Sequence, residues 1–125
     1  MCLARSIVVA LGALAAWAQL AAAETTGRFE GPKAHTGTAS FSSEGGRRTL
    51  TLSDDFRVPE APDPHWQLVD SKGVAHLLQR LEIKGGGVHR SIEIPAYVED
   101  VAKVQIWCAF AETLLGEAAF AAPVK

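Results

Sequence analysis

The chain holds two cysteines in 125 residues, Cys2 and Cys108, and thiols have the widest chemical range of any side chain present. Cys2 lies in a segment that reads as a signal peptide. Arg5 sits in a short n-region, an apolar stretch runs from Ile7 to Leu20, and Ala21-Ala22-Ala23 forms an A-x-A cleavage site. Lipid attachment would want a cysteine directly after the apolar stretch, and Cys2 precedes it. Cleavage after residue 23 leaves Cys108 alone in an exported protein, with no second cysteine for an intramolecular disulfide. Four readings stand open for such a thiol: intermolecular pairing, ligation of a metal or haem, redox chemistry, and burial as a small hydrophobe.

Ligation would need partners. The four histidines are His35, His65, His76 and His89. A blue-copper-like site takes two histidines with one thiolate, and haem takes a single cysteine or histidine. No C-x-x-C-H marks covalent haem attachment, and no further cysteine is available for an iron–sulfur cluster. His89 alternates onto the face of Ser91 and Glu93 and is expected in solvent. Asp54-Asp55 lacks the D-x-D-x-D-G spacing of a calcium loop and reads as a solvated turn. Asp63, between Pro62 and Pro64, reads as a residue that organises its own turn. Trp66 and Trp107 are expected to pack in the core or between sheets, and Trp107, adjacent to Cys108, is also placed to wall a cofactor pocket. There is no G-x-S-x-G elbow, H-E-x-x-H or P-loop, so hydrolase chemistry is not expected.

Charge narrows the field. Loss of Arg5 with the leader reduces 12 basic residues to 11 against 14 acidic ones, a net charge of −3. Arg47-Arg48 is an isolated pair, so the basic footprint of nucleic-acid binding is missing. No stretch after Glu24 offers the apolar length of a spanning helix, so no membrane span is expected. Residues 24–125 make one domain of ordinary size.

The elements that must position these side chains are strands. Leu50 and Leu52 alternate with Thr49 and Thr51, Trp66 and Leu68 with His65 and Gln67, Leu81 and Ile83 with Glu82 and Lys84, and Ile92 and Ile94 with Ser91 and Glu93. Gly45-Gly46 and Gly85-Gly86-Gly87 read as hairpin connections. The segment Val58 to Pro64 holds three prolines and reads as a loop. Val74 to Leu81 leaves a helical turn open as an alternative to a strand, and Tyr97 to Ala102 is a second candidate helical turn. The expected fold is all-β, an antiparallel β-sandwich or barrel-like fold with little helix. On a strand, Val104, Ile106 and Cys108 share one face, and Gln105, Trp107 and Ala109 the other.

Several segments together resemble the DM-thirteen domain family. Gly27-Arg28-Phe29 and His35-Thr36-Gly37-Thr38-Ala39 are similar to its G-x-F and H-x-x-G-x-A opening. Leu52 to Phe56 resembles its L-x-x-x-F, and Ala61-Pro62-Asp63 with Leu68 its G-P-D…L strand, with alanine in place of the usual glycine. The stretch Ile83 to Ile94-Pro95 and the run Val104-Gln105-Ile106-Trp107-Cys108-Ala109-Phe110 resemble its I-P pair and its cysteine signature. This resemblance implies a β-rich domain that shuttles electrons, with Cys108 as a bare thiol or as ligand to a prosthetic group. It offers His35 as a second ligand, against the reading of a strand-edge hydrogen-bonding residue, and Trp107, adjacent to Cys108, as the candidate pocket wall. Haem and copper are then the candidate cofactors, and a thiol with no cofactor stands equally with them. The expected partner is a redox protein of the envelope, and the expected location is periplasmic or extracellular. The competing expectation is a non-catalytic binding module that presents loops such as Val58 to His65, with Cys108 as a structural core residue.

Overall fold

The computed structural model describes residues 24–84, 87–88 and 90–125. The signal peptide expected over 1–23, the Gly85-Gly86 part of the triple glycine and the solvated position expected for His89 therefore lie outside the described residues. Ten strands run in chain order: β1 Glu24–Thr25, β2 Ala39–Glu44, β3 Arg47–Leu52, β4 Pro64–Val69, β5 Ala75–Arg80, β6 Ile83–Lys84, β7 Gly87–Val88, β8 Ser91–Glu93, β9 Val101–Cys108 and β10 Thr113–Val124. They form two four-stranded antiparallel sheets, ordered β1-β2-β3-β8 and β10-β9-β4-β5, and a small β6-β7 pair. The all-β expectation holds, and the described residues contain no helix. No helix among them is long and apolar enough to cross a membrane.

Period-two alternation builds the core. Phe41, Leu50, Leu52 and Ile92 project inward from the first sheet; Trp66, Leu68, Val104, Ile106, Cys108 and Ala118 project inward from the second, in one buried cluster. Phe29 and Phe56 close it from the loops, with ring centroids 5.3 Å apart in an edge-to-face arrangement. On the outer face of the first sheet the threonines and serines bond across strands, as in Ser42–Thr49 at 2.9 Å and Thr51–Ser91 at 2.8 Å. Gly45 and Gly46, at φ +56° and +84°, form the two-residue β2–β3 connection. Two positive φ values in succession give a turn whose twist matches the strands.

Two helical turns considered from the sequence do not form. Residues 75–80 are strand β5, held to β4 by the pairs Leu68↔His76 and Val69↔Ala75. Before β9, Pro95 to Val98 make a single turn closed by the Val98 amide on the Pro95 carbonyl at 3.0 Å. Arg48 secures that turn, donating to the carbonyls of Pro95 at 2.9 Å and Val98 at 2.7 Å. Local pattern over six residues gives way to pairing with β4 at 75–80, and at 95–98 to a turn held by the Arg48 guanidinium. Pro64, expected in the preceding loop, instead opens β4, a position where a strand tolerates a residue without an N–H.

Candidate functional site around Cys108

Cys108 ends β9, opposite Pro64 of β4 on one side and Thr113 of β10 on the other. Alternation carries it inward with Val104 and Ile106, and it is 1% exposed. Beyond it the chain reverses through Ala109, Phe110, Ala111 and Glu112, the last at φ +52°. This tight reversal turns backbone donors onto the sulfur. The Ala111 amide donates to Sγ at 3.4 Å, and the Ala109 amide bonds the Asp63 carbonyl at 3.0 Å, tying the loop before β4 to the same spot.

The electrostatic result differs from that of an ordinary core thiol. Burial alone raises a thiol's pKa. Here the Ala111 amide holds it below its ordinary value, and although burial opposes that, the amides of Asp63 and Phe110 add to the lowering; the Asp63 charge is a smaller opposing effect. The Ala111 hydrogen bond thus favours the thiolate against burial.

Asp63 does more than shape its turn. Its Oδ1 lies 3.0 Å from Arg80 Nε and 3.2 Å from His65 Nε2, while His65 Nδ1 bonds the Leu78 carbonyl at 2.8 Å. Arg80 also donates to the Pro62 carbonyl at 3.1 Å. The Cys108 cradle is therefore braced from β5 through a carboxylate. Both ring nitrogens of His65 face protein oxygens, and His76 Nε2 is held by Asp70 Oδ2 at 3.0 Å. Neither histidine is turned toward the thiol.

The other expected site residues lie apart from Cys108. His35 is exposed in a shallow groove with Pro32, Arg57 and Glu60, and that groove does not include the cysteine. Trp107 stands on the outer face of the second sheet, lining a cleft that Cys108 does not reach. Among the described residues no group of three or more His, Cys, Asp or Glu side chains is gathered as a metal site. Asp54 and Asp55 line a cleft of about 510 Å³ with Arg28 and Arg57, so cations already occupy the neighbourhood of these carboxylates. Sequence reasoning missed the amide cradle and the Asp63 bracing. Both depend on which loops meet, and Asp63 between two prolines gave the only local hint.

No protein-family model, curated protein or solved structure matches the chain. The site is therefore read on its own chemistry.

Proposed function

We propose that this is an exported redox domain of the DM-thirteen kind, in which Cys108 exchanges with a disulfide of an envelope partner protein. The observation that carries this reading is the hydrogen bond from the Ala111 amide to Cys108 Sγ at 3.4 Å, in the tight reversal that follows β9. A donor on the sulfur favours the thiolate, the form of cysteine that reacts.

In the exchange, Cys108 Sγ as thiolate attacks one sulfur of the partner disulfide. An S–S bond forms between the proteins, and the other partner sulfur leaves as a thiolate with the electron pair of the broken bond. A dithiol donor then attacks Cys108 Sγ of the mixed disulfide, and the second partner sulfur leaves as thiolate. The donor's other thiol attacks the resulting Cys108–donor disulfide, closing the donor's own disulfide and returning Cys108 as thiolate, so that two electrons pass from the donor dithiol to the partner disulfide. The cradle serves both attack and release, because a low thiol pKa also makes Cys108 a good leaving group. A bare thiol suits these surroundings better than a copper site with two histidines, since both ring nitrogens of His65 bond Asp63 and the Leu78 carbonyl, and His76 bonds Asp70.

The 109–112 reversal after Cys108 carries Phe110 at 77% exposure, an apolar handle for a partner two residues along the chain from the thiol. The second reading, an interaction module with a structural cysteine, is favoured by the 1% exposure of Cys108 itself. Titration with a chromogenic aromatic disulfide separates the two. The redox reading expects one equivalent of thiol to react in the folded protein and none in Cys108→Ser. Reaction seen only after unfolding would return Cys108 to the core and leave the interaction module.

A further inference from the structure

On the outer face of the β10-β9-β4-β5 sheet, Gln67, Gln105 and Glu117 are successive cross-strand neighbours. Gln67 Nε2 donates to Gln105 Oε1 at 2.7 Å, and Gln105 Nε2 donates to Glu117 Oε1 at 2.8 Å. Lys103 Nζ lies 3.6 Å from the same carboxylate oxygen. An ionised carboxylate can only accept, so Gln105 must turn its NH₂ toward Glu117 and its oxygen toward Gln67. Gln67 must then spend its own NH₂ on Gln105. The row ends on Gln67 Oε1, which meets no donor among the described residues although Gln67 is only 8% exposed. Buried acceptors are nearly always satisfied, and one that borders an open cleft takes its donor from what fills the cleft, water or a ligand hydroxyl.

Gln67 lines an open cleft of about 720 Å³, together with Gln105, Lys103 and Trp107 and with Asp70 and Gly73 of the β4–β5 turn. Its charges are already matched. Lys103 is paired with Glu117, and Asp70 is bound by His76 and by the Lys72 and Val74 amides. A charged ligand finds no counter-ion here, and the Lys103 ammonium disfavours an ammonium ligand over the indole. What remains is an acceptor without a protein donor, amide groups able to bond hydroxyls, and a half-buried indole on the outer face of the sheet.

We propose that this cleft binds a neutral glycan of flat, equatorially linked pyranose rings. One ring lies with its axial C–H groups against Trp107, and a ring hydroxyl donates to Gln67 Oε1. Sugar hydroxyls both donate and accept, which suits a row that ends on an acceptor, and a β-1,4 chain is straight enough to follow the open cleft. The site is on the face opposite Cys108 and does not depend on the redox reading.

The test uses the whole protein with cellohexaose and chitohexaose as probes and dextran as the bent-chain comparison, read by calorimetry and tryptophan fluorescence. The expected result is saturable binding of a hexasaccharide and none of dextran. Gln67→Leu should weaken binding about tenfold, the equivalent of one lost hydrogen bond. Trp107→Ala should abolish it, and Trp107→Phe should retain part of it. Cys108→Ser should bind as the native protein does, which keeps this outcome distinct from that of thiol exchange. Melting curves confirm that each variant is folded, and if Gln67→Leu does not fold, the two Trp107 variants carry the comparison. Failure of the folded native protein to bind either hexasaccharide, equal binding of dextran, or undiminished binding by Trp107→Ala would overturn the proposal and make the row a sheet-bracing ladder.

Discussion

At the scale of single residues, what sets Cys108 apart from an ordinary core thiol is the Ala111 amide donating to its sulfur, which opposes the effect of burial. A pKa lowered in the folded state makes the thiolate a stabilising species at alkaline pH, and that contribution is lost as pH falls through the folded value. Cys108→Ser keeps an acceptor for the Ala111 amide. It should therefore abolish exchange while costing only about 1 kcal/mol at neutral pH, and the cost should grow as the pH is raised. Denaturant melts at three pH values check this. Asp70 behaves in the same sense at the acid end. The His76 hydrogen bond, helped by the amides of Val74 and Lys72, holds its carboxyl below the usual value. Its contribution is present at neutral pH and fades as pH falls through the folded value. Asp70→Asn should thus lower Tm at pH 7, with the difference from native closing in strong acid.

Elements are where the sequence was most informative and where it failed. Gly45-Gly46 was legible as a turn because two glycines between alternating runs have few other uses, and the inward set Val104, Ile106 and Cys108 followed from period two alone. Residues 75–80 and 97–102 were not legible, because short apolar runs fit either period and the deciding contacts come from β4 and Arg48. The Gln67–Gln105–Glu117 row was invisible for a related reason: register across three strands is not written in any one of them.

Gly116 on β10 is a further case that only the structure reveals. The amides of Lys33 and Ala34 donate to the Leu115 carbonyl at 3.0 and 2.8 Å, which draws the 31–34 segment against the strand. A Cβ on Gly116 would overlap the Ala34 backbone, which has no room to yield. Gly116→Ala should cost about 3 kcal/mol by overpacking. Gly27→Ala, with nothing near its Cβ position, should change stability by less than about 0.5 kcal/mol. Urea melts of the two variants side by side check both values.

Taken as a whole, the molecule keeps its two candidate chemistries on opposite sides of one sheet. The inner face delivers a single thiol to the end of the sandwich, where the Ala111 amide donates to its sulfur and Phe110 is exposed two residues along the chain. The outer face of the same strands carries an amide row and an indole. β4 and β9 are central in that sheet, so both sites are built on strands paired on both sides. The most direct test is the rate of alkylation of the folded protein as a function of pH, set against the same chain unfolded in denaturant. Native labelling is expected to occur and to reach half its limiting rate at a lower pH than in the unfolded chain. A native thiol that is silent until unfolding, or one whose half-point lies at or above that of the unfolded chain, would contradict the redox proposal.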